Sequence, residues 1–306
     1  MKKRTLFQLL TLAIILSLTC CKTEPNPQLA SPWASLNQEV GTKNFNEYWY
    51  NGTAELCSYE LKQDRYGQIR DGEVVLIFVT EPFSKNKQLK LDDPEAAGDD
   101  KVTVLKLNHV RKFNTGIYDY AIMTSTFTPV DYTTHPLTLK ATTSVQEWCG
   151  NTFTQLNLSG AQYNYSQRSY FESDGDFDKR IKAVPLEDAL LTRLRLTQGQ
   201  LPEGEIELVA SSLLSRFAHQ DTVPSKANIT KTITDGVIQY AIDYVDTDRS
   251  LTIDVEQQFP HKILAFSEND GDSLVTTATL KKSMRSPYWK QNGVMHEPLR
   301  EELGLR

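Results

Sequence analysis

The sequence predicts a mainly β protein: a long, strongly curved antiparallel sheet, a half-barrel, with one central helix. Three observations carry this reading. Apolar residues recur at every second position through most of the chain, the period of a half-buried strand. The composition favours strands, with 13 Tyr and 12 Phe against 4 Met. A convincing helical spacing occurs midway along the chain, where Leu186, Ala189, Leu190 and Leu194 fall on one helix face behind the N-terminal Pro185. Two β-sandwich domains are the alternative reading of the same pattern.

The elements follow in order. "TAELCSYELKQDRYG" gives a first long strand ending at Gly67. After Gly72, "EVVLIFVTEPF" follows, and its run Val74 to Val79 is apolar on both faces, as in a strand covered from two sides. Gln88 to Asp100 is acidic and holds Pro94 and Gly98, which reads as a loop. "KVTVLKLN", "YDYAIMTSTF" and "PLTLKATTSVQEW" continue the strands. The last ends at Glu147-Trp148-Cys149-Gly150, where Trp148 is expected to pack and Gly150 to turn. "DGDFDKR", Asp174 to Arg180, reads as another loop.

The helix over 186–195 divides the β-rich body, 44–306, into halves 44–184 and 203–306. In the second half "GVIQYAIDYV" sets Ile238, Tyr240, Ile242 and Tyr244 on one face, and "SLTIDVEQQF" does the same with Leu251, Ile253 and Val255. The turn-forming "DTDR" between them makes a hairpin, which "HKILAFSE" and "LVTTATLKK" extend into a meander. "EPLREELGL" reads as a short helix closed by Gly304. Local pairing and long strands suggest a shape like that of bacterial lipoprotein-carrier folds, in which a long sheet wraps a helix and leaves an apolar concavity. Leu186, Leu190 and Leu194 would line that groove.

The N-terminus carries a targeting signal. Lys2, Lys3 and Arg4 precede an apolar run from Leu6 to Leu18, too short to span a bilayer, which takes about 20 residues. Leu18-Thr19-Cys20-Cys21 resembles a bacterial lipobox with Cys21 as the acylated residue and Cys20 as the runner-up. Residues 1–20 are then a signal peptide, and residues 21–43 an anchor and a Pro-bearing, extended tether. The resemblance implies an outer-membrane lipoprotein on the cell surface or the periplasmic face, held to the membrane by its N-terminal lipid. Lys22 and Glu24 are similar to the charged export tag of surface lipoproteins of the Bacteroidetes.

Removing Lys2, Lys3 and Arg4 leaves 30 basic against 39 acidic residues. With no basic stripe, nucleic acid is excluded as an expected partner. Two cysteines remain in the body, and an exported compartment permits a disulfide between Cys57 and Cys149. Catalytic signatures are missing: there is no Gly-x-Ser-x-Gly, His-Glu-x-x-His, phosphate loop or dinucleotide fingerprint. His109, His135, His219, His261 and His296 stand singly. Asp174, Asp176 and Asp178 approach a calcium loop, but Lys179 and Pro185 occupy the positions that need Gly and Glu. Asp221-Thr222-Val223 and Asp272-Ser273-Leu274 resemble short O-glycosylation sites of Bacteroidetes exported proteins.

"EYWYNGTAELCSYEL", "RYGQIRDGEVVLIFVTEPF", "FNTGIYDYAIMTSTFTPVD" and "TSVQEWCGNTFTQLN" together resemble an uncharacterised family of Bacteroidetes lipoproteins. Its members often carry the automatic label "septum formation inhibitor Maf". The Maf pyrophosphatase motif Ser-x-Ser-Pro-Arg-Arg is absent; the nearest stretch, Ala30-Ser31-Pro32-Trp33, lacks both arginines. The expected function is therefore a non-enzymatic, lipid-anchored envelope protein that needs no cofactor and binds an apolar ligand or a partner protein. The alternative is an envelope or extracellular hydrolase using strand-borne carboxylates as acid and base.

Overall fold

The computed structural model describes Trp33, Leu36, residues 41–271 and residues 273–305. Cys20, Cys21, the signal segment, the tether from Lys22 to Pro32 and Asp272 lie outside the described residues. The fold is mainly β: fourteen antiparallel strands form one curved, unclosed sheet, as a half-barrel requires.

Strands β1 (Ala54–Arg65), β2 (Gln68–Ser84), β3 (Lys101–Thr115), β4 (Tyr118–Pro129), β5 (Lys140–Glu147), β6 (Gly150–Ser159), β7 (Gln162–Ser169) and β8 (Phe177–Lys182) pair in chain order. So do β9 (Gly204–Val209), β10 (Pro224–Thr234), β11 (Val237–Tyr244), β12 (Arg249–Glu256), β13 (Ile263–Asp270) and β14 (Thr276–Ser286). β14 pairs with β1, so both halves of the chain belong to one sheet and no two-sheet sandwich forms. The free edges are β8 and β9, neighbours in the chain. A single parallel bridge between Leu186 and Val209 ties the segment after β8 to β9, and the Val209 N–H donates to the Pro185 carbonyl at 2.9 Å. The chain thus covers its own seam, which blunts both edges as pairing templates.

Among the described residues four short α-helices lie on the sheet: α1 (Lys43–Trp49), α2 (Leu190–Leu196), α3 (Ser212–Ala218) and α4 (Pro298–Glu302). α2, entered through a tight turn at Glu187–Ala189, runs along the concave side, and all seven of its residues are buried. Its acidic start and basic end, Glu187 and Asp188 against Arg193 and Arg195, suit the helix dipole. The odd-to-even hairpin turns gather at one end of the sheet together with α3, here the α3 end. α1 sits at the opposite end: the Trp49 carbonyl accepts from Thr80 at 2.6 Å, and Tyr48 packs edge-on against Phe259.

The both-faces-apolar run in β2 has a direct explanation. Val74, Leu76 and Phe78 point into the core, while Val75 and Ile77 lie under the C-terminal segment on the convex face. Gly72, in the same strand, lets β3 approach closely: a Cβ there would stand 2.3 Å from the Lys112 carbonyl. Gly304 closes α4 with φ of +74°, as the sequence anticipates. Phe177 to Arg180, read as loop, instead pairs with β7. Lys179 faces inward there because its stem and ammonium lie over the Tyr165 and Phe177 rings.

Candidate functional site

Leu186, Leu190 and Leu194 do not line an open groove. All three are buried in the packed core, because inward side chains of the curved sheet fill the space around the helix. The remaining space on the concave side is filled by charge. At the α1 end, Arg195 and Glu55 are both 0% exposed and pair through two parallel bonds, Nη2 to Oε2 at 2.7 Å and Nη1 to Oε1. Arg195 Nε also donates to the Pro260 carbonyl at 2.9 Å, and its guanidinium lies over the Trp49 and Phe78 rings. Burial alone would raise the Glu55 carboxyl; Arg195 outweighs it and holds the carboxyl below its ordinary range.

At the α3 end a second network surrounds a chamber of about 40 Å³. Arg111 grips Glu268 in a fork, Nη1 to Oε2 at 3.0 Å and Nη2 to Oε1 at 2.9 Å, and bonds Gln63 at 2.8 Å. Arg249 pairs with Glu187 and Asp270, and the Tyr244 hydroxyl donates to Glu187 at 2.5 Å. Asp188 accepts the Ser212 N–H at 3.2 Å, which ties the start of α3 to the start of the buried helical segment. His109 Nε2 and Arg111 Nε have no hydrogen-bond partner among the described residues.

Environment splits these groups. Burial opposes ionisation of Glu268, yet Arg111 brings its carboxyl down to about 2. Burial and the neighbouring Glu187 push Asp188 up to about 6. Burial also raises Asp270 to about 6, with Arg249 opposing and Glu268 adding to the rise. His109, desolvated and close to Arg111, falls to about 3 and stays neutral. Such a divergence can mark acid–base chemistry. The chamber, however, has room for about one or two waters, whereas small-molecule sites run to roughly 300–1,000 Å³.

The largely apolar pocket lies on the convex face. Leu56, Val75, Ile77 and Val110 form its floor, and Tyr288, Leu303 and Leu305 of the C-terminal segment form its wall, around about 290 Å³. Register explains the floor: Leu56 pairs with Ile77 and Val75 with Val110, so one convex strip is apolar across β1 to β3. The wall is fastened where the Ser58 hydroxyl donates to the Leu303 carbonyl and Lys281 to the Gly304 carbonyl. Lys112, Arg300 and Glu73 stand at the rim.

Other sequence-predicted residues fall apart in space. Cys57 is buried in β1 and Cys149 is exposed in the β5–β6 turn, both as free thiols. Four strand spacings separate β1 from β5, about 19 Å along the sheet, beyond the roughly 7 Å a disulfide can bridge. Trp148 does not pack; it is 68% exposed, with Nε1 donating to Asp119 at 2.7 Å. Asp174 bonds His219 and faces Arg216, Asp176 caps Ser169, and Asp178 pairs with Arg168, so all three acidic residues serve the fold. No group of three or more metal-ligating side chains occurs among the described residues. Thr222 is 1% exposed and bonds Ser215 at 2.7 Å, which hides it from glycosylation. No helix among the described residues is long and apolar enough to cross a membrane. No protein-family model, curated protein or solved structure matches the chain.

Proposed function

We propose that the protein is a non-enzymatic, lipid-anchored envelope protein whose filled sheet is a rigid stand that presents one end to a partner protein. The observation that carries this reading is the rim at the α3 end. Each of its first four hairpin turns exposes a large apolar side chain: Tyr66, Ile117, Trp148 and Tyr170, the last three 85%, 68% and 72% exposed. Successive hairpins stand two strands apart, so these side chains recur roughly every 10 Å. Val223, Val245 and Val275 continue the series in the other three turns of that end. Monomeric proteins seldom concentrate exposed apolar groups in this way without a binding role.

Two further features support it. The described chain starts at Trp33, buried under the Arg193 guanidinium, and α1 follows at the end opposite the rim, so a tether leaving there directs the rim away from the membrane. The rim is also acidic: Glu172, Asp221, Asp246 and Asp248 are exposed in its turns, while Arg216 faces Asp174. A partner with basic residues around apolar anchors would match it. The hydrolase reading has less support, because Glu55, Glu187 and Glu268 are each held by an arginine and the chamber beside Glu187 and Glu268 is water-sized.

Photo-crosslinking in cells tests the proposal. A benzophenone amino acid at Tyr66 or Trp148 should give an adduct of discrete mass, identifiable by mass spectrometry. The same group at Leu89 or Ile233, exposed at the α1 end, should not. Equal labelling from both ends, or none from the rim, would remove the reading.

A further inference from the structure

We infer that the convex-face pocket under the C-terminal segment binds a single-chain fatty acid of about ten carbons, its acyl chain on the apolar floor and its carboxylate at Lys112. The inference stands apart from the rim and gives the apolar-ligand reading a place on the opposite face of the sheet from the one the sequence suggests. Size selects the ligand class. At about 30 Å³ for each water-sized group, the 290 Å³ volume admits on the order of ten such groups. That suits one medium acyl chain and is too little for a two-chain lipid. Chemistry selects the head group. The lining is apolar except at the rim, where two cations stand against one carboxylate, Glu73. An anionic head therefore meets a net positive charge, and a cationic one meets repulsion.

The pocket is also built into the fold. Its floor residues are fixed by strand register. Its wall is anchored by the Ser58 to Leu303 and Lys281 to Gly304 bonds, with Leu303 itself buried. Trp289, beside the wall residue Tyr288 and packed edge-on against it, is a natural fluorescence reporter.

The described contacts all lie between Trp33 and Leu305, so a chain starting at Lys22 retains every described element. That chain is titrated with decanoate, decyltrimethylammonium and dilauroyl phosphatidylglycerol, each below its micelle or aggregation threshold, by Trp fluorescence and calorimetry. Decanoate should bind saturably at one site and about tenfold more tightly than the cationic analogue. Lys112→Glu, a surface change, should weaken decanoate about tenfold and narrow its preference over the cation. Ile77→Arg, with the fold checked by circular dichroism, should abolish binding. Absence of saturable decanoate binding, equal affinity for the cation, preference for the two-chain lipid, or binding indifferent to both variants would each overturn the inference.

Discussion

Asp188→Asn should stabilise the protein at neutral pH and do nothing in mild acid. The carboxyl lies next to Glu187 and lines the same chamber as Glu268, Arg111 and His109, with Arg111 already committed to Glu268 and Arg249 to Glu187 and Asp270. Its pKa is raised from 3.8 to about 6, chiefly by burial and then by Glu187. The folded state therefore prefers the neutral acid. Stability from its protonation is fully present below the unfolded value near 4 and is lost as pH rises through about 6. Two pKa units correspond to about 3 kcal/mol. Asn keeps an oxygen for the Ser212 N–H and carries no charge, so at about pH 7.5 the variant should gain up to about 3 kcal/mol, less whatever the stronger bond to a charged carboxylate contributes. Near pH 4 the gain should vanish. Urea unfolding of both chains across this range isolates Asp188, because Asp270 and Glu268 titrate in both proteins. A difference that stays flat with pH, or a loss of stability at neutral pH, would refute the reasoning and show a carboxylate that is matched where it sits.

Other expectations follow the same geometry. Glu55→Gln should cost about 3–5 kcal/mol by stranding the Arg195 guanidinium, while the double change Glu55→Leu with Arg195→Met should recover most of it; chemical unfolding separates the two. In the native protein a thiol reagent should label exposed Cys149 alone, since Cys57 is buried and its thiol is pushed up to about 12 by desolvation and Glu55. Two native labels, or none, would contradict this. Gly72→Ala should destabilise by about 1–3 kcal/mol, because its Cβ would drive β2 away from the Lys112 carbonyl; a thermal melt suffices. Cys21→Ala should leave the chain unacylated whereas Cys20→Ala should not, read by mass of the mature N-terminus.

The sheet was legible because alternation survives wherever one face is apolar, as in β11 and β12, whose face residues match the sequence reading one for one. β6 was harder: Thr152 and Thr154 point inward beside Leu156, so the inner face carries little apolar contrast. α3 was not legible because, although as long as α2, it has no initiating Pro or preceding helical turn to extend its pattern as 185–189 does for α2. The interior ion pairs left a signal that alternation alone could have raised. Arg249 shares the face of Leu251, Ile253 and Val255, and Glu268 that of Phe266. A charge in phase with an apolar face implies a buried partner. Which partner it has depends on strand neighbours far apart in sequence, such as β3 and β13, and no local pattern carries that.

The filling of the concave side follows from the size of the sheet. A seven-residue helix offers Leu190, Leu191, Leu194 and Leu196 to a sheet of fourteen strands, too little apolar volume to meet every wall. Long Arg and Glu side chains reach across what remains: Arg195 joins the helix to β1, Arg111 joins β3 to β13, and Arg249 joins β12 to the helix start. Each pair has to fit in both length and direction, so those of Arg195 and Arg249 fix the helix in one position, at a desolvation cost that an apolar core would avoid. An acyl chain could enter only by breaking buried, forked ion pairs. The convex strip over β1 to β3 faces no such obstacle: it is covered by a short C-terminal wall that leaves a gap. The physics that closes the concave side thus directs any apolar ligand to the opposite face, where Leu56, Ile77 and Val110 are already desolvated in part and Lys112 waits at the edge.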